Sequence, residues 1–251
     1  MESYASAVQV YAAGLVFVRV AAMVMLMPAV GDAAIPVRVR LAFAFLLALV
    51  LAPVVSPNLG AVPADVAGLA GAVIHEVLIG LMIGGILKIF LSALTTAGEV
   101  ISLQTTLGFA QTANPSEAQP TAAISSFLAM LGLLLIMTTD LHHMFLGAIS
   151  NSFSLFPFSK PVPVQDAAAL ALQTVAGSFA LGIQLAAPIL VFALVFNLAT
   201  GLVSRVMPAF QIFFVASPLS ILLGLSILAL SLGGIGVVFA DRYRELLENF
   251  L

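Results

Sequence analysis

The sequence predicts an all-α membrane protein, and three observations carry that reading. Of 251 residues, 62% are hydrophobic and only 8% are charged, against roughly 25% charged in soluble globular domains. The mean hydropathy is +1.21. The apolar residues lie in long stretches rich in alanine, leucine and glycine, and none alternates with the period of two that a barrel strand requires. The same composition excludes disorder, collagen-like repeats and coiled coil. There is no cysteine, so disulfides, thiolate metal sites and cysteine nucleophiles are excluded. A net charge of -3 with scattered basic residues gives no polybasic stripe for nucleic acid or lipid headgroups.

Six apolar stretches are expected, at about 8–30, 38–56, 66–94, 122–150, 168–200 and 211–240, within a single domain over residues 1–251. Each is long enough to cross a bilayer at about 1.5 Å per residue. The first lacks the basic n-region and small-residue cleavage site of a signal peptide, so it is expected to remain as a helix. Arg19 lies near its middle, where an arginine costs about 2.5–3.5 kcal/mol on insertion scales. A partner is therefore required, and an interhelical or intersubunit ion pair is favoured over snorkelling to the interface. Gly31-Asp32 through Pro36 separate this helix from the second, which opens on Arg38 and Arg40 and gives way to a break at Pro53 through Pro63.

The third stretch carries Glu76, Gly80, Gly84 and Lys88 at steps of four, along one helical stripe. Its two glycines form a small-xxx-small surface that lets another helix approach closely. Glu76 and Lys88, about 18 Å apart by helix rise, are too distant to neutralise each other. His75 is expected on another face, since adjacent helix positions diverge. For Glu76, a structural pair with another subunit or a place near the water interface is preferred to a proton relay.

A break from Thr95 to Pro120 precedes the fourth stretch, which contains Asp140, His142 and His143. Two histidines on a helix bind a metal best at a separation of four, and adjacent ones diverge by about 100°. With Thr138, Thr139 and Asn151-Ser152 nearby, the cluster reads as a polar patch on an interrupted helix or at a span boundary. After Pro157 through Asp166 comes the fifth stretch, and Ser204 through Pro208 separate it from the sixth. No G-x-x-x-x-G-K-[ST] loop or dinucleotide fingerprint is present, so nucleotide hydrolysis is not expected.

Counting basic residues in alternate loops puts Arg38, Arg40, Lys88 and Arg205 on one side and Lys160, Arg242 and Arg244 on the other. This balance fixes no orientation, and it argues against simple alternate threading. The segment from Glu99 to Thr121, EVISLQTTLGFAQTANPSEAQPT, is too polar for lipid. A glycine beside an aromatic, flanked by small and hydroxyl residues, suits backbone that bends sharply inside protein. The residues alone leave two readings open: a pore-lining or pore-closing loop, and an ordinary interhelical loop.

Three blocks of sequence carry a family resemblance. The run FVRVAAMVMLMPAVGDAAIPVRVRLAFAFLLALVLAP, with Arg19, Pro28, Ile35, Pro36, Arg38, Arg40 and Pro53, resembles the opening of the FliR family of flagellar export-gate proteins and their injectisome counterparts in type III secretion. Gln104-Thr105-Thr106-Leu107-Gly108-Phe109-Ala110 with Asn114-Pro115 is similar to that family's central loop, with Leu107 where relatives often carry methionine. Asn197 through Pro208 is similar to its late N-x-x-x-G-x-x-x-R-x-x-P stretch, and Asp140-Leu141-His142-His143 with Ser152-Phe153 and Pro157 also fits.

The resemblance implies a single-copy, non-enzymatic subunit without cofactor or metal. It would assemble with FliP and FliQ, alongside FlhB, FlhA and flagellar rod or adaptor proteins, in the bacterial inner membrane at the flagellar basal body. It further implies that residues 104–120 form a plug toward the channel axis, closing it until secreted substrates pass. Gln104, Leu107, Gly108, Phe109, Ala110, Asn114 and Pro115 are the gating candidates. Arg19, Glu76, Gly80, Gly84, Lys88, Arg205 and Pro208 are the candidates for helix packing and subunit contact. A small-solute secondary transporter and a purely structural scaffold are the alternatives; the absence of an internal repeat weighs against the transporter.

Overall fold

The computed structural model describes residues 7–32, 34–55, 62–63, 65–106, 123–158, 164–208 and 211–251. Among these the chain forms helices and no strand: α1 (Ala7–Leu26), α2 (Val37–Val55), α3 (Val66–Gln104), α4 (Ala123–Thr138), α5 (Leu141–Leu155), α6 (Val164–Val206) and α7 (Ile212–Glu248). Five of them are long and apolar enough to cross a membrane, and the pair α4 and α5 brings the total to six if it counts as one broken span. The all-α membrane fold expected from composition is the fold found.

The expected boundaries change where polar residues are satisfied within a helix. The third stretch does not stop at residue 94; α3 runs on through Gln104. Its hydroxyls explain why: Thr95 Oγ1 donates to the Ser92 carbonyl (2.8 Å) and Thr105 Oγ1 to that of Ile101 (2.9 Å), so threonines that look like a loop are absorbed by backbone one turn behind. The fifth and sixth stretches likewise extend to 43 and 37 residues. The fourth is interrupted between Thr138 and Leu141, where Asp140 takes a left-handed conformation (φ 58°). Aspartate tolerates that region better than most residues.

The chain forms two compact units. Residues 1–90, 140–175 and 243–251 make the first, and residues 91–139 and 176–242 the second. In the first unit, α1 buries a stripe at positions 12, 15, 16, 19, 20, 23 and 24, the three-and-four spacing of one helix face. α2 packs on α1, burying Ala44, Ala48, Ala52 and Val55, with Phe17 and Phe45 meeting edge to face at 5.9 Å. α3 presents Ile79, Ile83, Ile86, Leu87 and Phe90 to the interior. Tyr243 reaches Phe90 at 5.8 Å, and the Asn151 amide donates to the carbonyls of Phe250 (3.1 Å) and Leu251 (2.7 Å).

The glycine stripe of α3 is used inside this unit. A Cβ on Gly80 would lie 2.6 Å from both the Ala22 side chain and the Arg19 carbonyl, and one on Gly84 would lie 3.0 Å from Leu26. The close helix approach read from the sequence therefore has α1 of the same chain as its partner. In the second unit Gly98 plays the same part for α4: its missing side chain admits the Ser125 backbone, and the Ser125 hydroxyl donates to the Thr95 carbonyl at 2.7 Å.

Gly80→Val is expected to lower stability by about 1–3 kcal/mol, the range for overpacking, because backbone atoms of α1 cannot yield as a flexible side chain would. Gly14→Ala, where nothing lies within 4 Å, is expected to raise stability by about 0.5–1 kcal/mol through helix propensity. Thermal unfolding of the two variants in detergent checks the contrast, and equal shifts would overturn it.

Candidate functional site

Two constellations stand out among the described residues, one in each unit. The first is built on Arg19. Its side chain is fully buried, and its Nε lies 2.5 Å from a carboxylate oxygen of Glu76, which is itself 1% exposed. Nη1 donates to the Ser152 carbonyl (2.8 Å) and Nη2 to that of Phe156 (2.9 Å). The Phe153 and Phe158 rings flank the guanidinium, their centroids 4.3 and 5.3 Å from its central carbon.

The logic is that of a charge placed among apolar helices. Carbonyls at a helix end have acceptor capacity that the helix does not use; that of Ser152 accepts from the Phe156 N–H just past α5 and has a second lone pair for the planar guanidinium, which supplies donors in a fixed fork. Arg19 thereby serves as a cap for α5 donated from α1, while Glu76 on α3 balances its charge. The second Glu76 oxygen meets His75 Nδ1 at 3.0 Å. The expectation that His75 turns away is corrected: helix positions diverge, yet the long glutamate side chain reaches back across the gap. Ser152, Phe153, Phe156 and Phe158 were not singled out for this role in the sequence. The signal available was the Ser152-Phe153 and Pro157 pattern, but a carbonyl acceptor leaves no trace in residue type.

The second constellation is the root of the central loop. Gln104 ends α3 and is half-buried, Thr105 is buried, and Thr106 has φ 61°. A β-branched residue in the left-handed region is an outlier and holds about 1–3 kcal/mol of strain. What holds it is α7: the Thr106 hydroxyl lies 3.3 Å from that of Ser217, and the Thr105 methyl fills the space left by Gly224. Around this corner is a cavity of about 170 Å³ lined by Thr106, Phe196, Asn197, Thr200, Ser217 and Ser220, among others. Two of the sequence blocks, the one opening at Gln104 and the one opening at Asn197, thus meet at one place. Ser217 and Ser220 were missed, being serines in an apolar helix with no distinctive spacing.

The remaining candidates are spread out. Leu107, Gly108, Phe109, Ala110, Asn114 and Pro115 lie outside the described residues. Lys88 is exposed on α3. Arg205 is exposed in the last turn of α6, where a cation favours the helix dipole, and exposed Pro208 follows the helix end. Asp140, His142 and His143 offer ligand atoms within 4.8 Å of one another. Asp140 lies in the left-handed turn before α5, so the cluster sits where the fourth stretch is interrupted, the place read for it as a polar patch.

Residues 10–246 match the family described as bacterial export proteins, family 1. The chain is 65% identical over 250 residues, spanning all of both chains, to a flagellar biosynthetic protein FliR of Caulobacter vibrioides. It is 34% identical over 219 residues to the FliR of Pectobacterium carotovorum, covering 86% of this chain and 82% of that one. To the FliR of Escherichia coli it is 32% identical over 213 residues, covering 84% and 80%.

Arg19→Met is expected to destabilise the protein by about 3–5 kcal/mol, since it strands the buried Glu76 carboxylate and takes a donor from two carbonyls. The Arg19→Met, Glu76→Leu double variant recovers part of that loss, because neither charge then remains unpaired. A double variant less stable than Arg19→Met in detergent unfolding would contradict the pairing.

Proposed function

The chain belongs to the bacterial export proteins of family 1, and from that premise we propose that it is a non-enzymatic subunit of the flagellar type III protein export gate. In this reading it assembles with FliP and FliQ in the bacterial inner membrane at the flagellar basal body. FlhB, FlhA and rod or adaptor proteins are its neighbours, and secreted flagellar substrates pass through the assembly. The observation that carries the proposal is the full-length relation to a flagellar biosynthetic protein at 65% identity. Likeness restricted to one part of the chain would leave the rest free for another task.

The central segment from Gln104 to Pro120 is the proposed closing element. Its first residues support this: a strained Thr106 held by Ser217, and Thr105 seated against Gly224, give the segment a fixed point of departure from α3. A closing element needs such a root, since a plug on a loose tether blocks a channel only part of the time. A hydrophobic constriction, with Leu107 and Phe109 as its candidates, gates by steric block and dewetting.

In a strain lacking its own copy, the full chain is expected to restore flagellar filaments and swimming. A version without residues 107–113 is expected to assemble with FliP and FliQ and to make the membrane leaky to ions or small molecules. Normal assembly with unchanged conductance would sink the plug and favour a scaffold. Failure of the full chain to restore filaments, despite normal membrane levels, would sink the flagellar reading itself.

A further inference from the structure

The start of α5 gathers three side chains that neither constellation uses. Asp140 precedes the helix, and His142 and His143 stand in its first turn. Adjacent helix positions point their Cβ atoms about 100° apart, yet the two imidazole rings come together, with centroids 4.1 Å apart and planes inclined by 37°. The left-handed turn at Asp140 brings its carboxylate to the same place, with Oδ1 3.4 Å from His143 Nδ1. One ligand atom from each of the three residues lies within 4.8 Å of the other two.

The carboxylate has no capping task in the helix. An aspartate before a helix ordinarily accepts from a backbone N–H of the first turn and contributes about 1 kcal/mol, whereas Asp140 makes no side-chain cap bond. The His143 N–H donates instead to the Asp140 carbonyl at 3.0 Å. The hydroxyls next in sequence, those of Thr138 and Thr139, donate back along α4 to the Leu134 and Leu135 carbonyls (3.0 and 2.7 Å). A bare ion pair between Asp140 and His143 is a poor account of the cluster. Both side chains are largely exposed, at 76% and 67%, where such a pair contributes only about 0–1 kcal/mol, and it gives no reason for the His142 ring to turn toward that of His143.

The spacing suits a metal ion. Bonds of about 2.0–2.2 Å to a tetrahedral ion place its ligand atoms about 3.3–3.5 Å from one another, and the Asp140–His143 pair already has that separation. Wider separations, up to 4.8 Å, close by side-chain torsion, to which the solvent around Asp140 and His143 offers no obstacle. Two imidazoles and a carboxylate favour zinc, copper or nickel over magnesium or calcium, and three protein ligands leave a coordination position to water. A helix N-terminus disfavours a cation by about 0.3–1 kcal/mol, which the Asp140 charge offsets. We propose that Asp140, His142 and His143 bind one divalent transition-metal ion, of the class that includes zinc, and that the ion ties the first turn of α5 to the turn before it. Arg19 holds the other end of this helix, so metal binding fixes α5 at both ends. The site goes beyond the export-gate reading and does not depend on it.

The test uses the full chain in detergent, purified through a histidine-free tag and stripped with a chelator, with zinc chloride as the probe. Calorimetric titration is expected to show saturable binding of one zinc ion per chain, and zinc is expected to raise the thermal unfolding midpoint. Asp140→Asn, His142→Gln and His143→Gln are each expected to weaken binding by about ten-fold or more, since losing even an outer-shell partner of a metal costs that much, and their midpoints are expected not to move with zinc. Cobalt chloride in place of zinc is expected to give visible absorption bands that the same variants lose, a signature of coordination that a merely structural role would not produce. Should half-buried His142→Gln fail to fold, the exposed Asp140→Asn and His143→Gln carry the comparison. Binding that does not saturate at one equivalent, or that persists at full strength in Asp140→Asn and His143→Gln, overturns the site. Zinc retained at full strength by the His142→Gln, His143→Gln double variant assigns the ion to His75, the remaining histidine of the chain, and overturns it equally.

Discussion

A guanidinium that cannot reach water sets the terms for the first unit. Arg19 has no exposed atom to hydrate, so each donor it carries must find a protein acceptor, and the acceptors come from elements far apart in sequence. Glu76 supplies charge from α3, and Ser152 and Phe156 supply carbonyls from the end of α5. This makes the cluster a specification device. Apolar side chains accept many packings of similar energy, whereas a charge, a carboxylate and two carbonyls accept one. The glycines at 80 and 84 belong to the same solution, because α3 must lie against α1 for Glu76 to reach Arg19.

The legible part of the fold followed from composition and from what cannot be left unpaired. Helices as the only spanning elements, the need of Arg19 for a partner and the close-contact role of Gly80 and Gly84 could all be read from residues. The partners could not. Nothing in sequence says whether a small-residue stripe meets α1 or a different chain, and the choice of α1 depends on three-dimensional packing. Helix ends failed in a consistent direction: Thr95 and Thr105 suggested a loop, but each bonds its own helix backbone and hides its polarity there. The interruption at Asp140 was legible from polar residues inside an apolar stretch; that its carboxylate comes close to His142 and His143 depends on the left-handed turn, which residue types do not specify.

The loop root shows how two motifs that are modest separately become one feature when folded. Thr106 and the pair Asn197 and Thr200 are about ninety positions apart, yet they line one small hydroxyl-bearing cavity. Their juxtaposition depends on Gly224, whose lack of a side chain lets Thr105 seat, and on Ser217, which steadies a backbone conformation that threonine otherwise avoids. The family relation gives these residues a context; the strain at Thr106 gives them a physical reason to be kept as a set.

The lengths of α3, α6 and α7 have an elastic consequence. At 39, 43 and 37 residues they extend about 58, 64 and 56 Å along their paths, while the hydrocarbon layer of a bilayer is about 30 Å thick. Thickening the membrane or stretching its lipids to cover such an excess costs a fraction of a kcal/mol for each ångström. At about 0.1 kcal/mol per ångström, a combined surplus of about 88 Å comes to about 9 kcal/mol, which is comparable to the entire folding stability of a typical domain. Lipid deformation therefore cannot accommodate these helices, and the bilayer serves as solvent for only about half of their length.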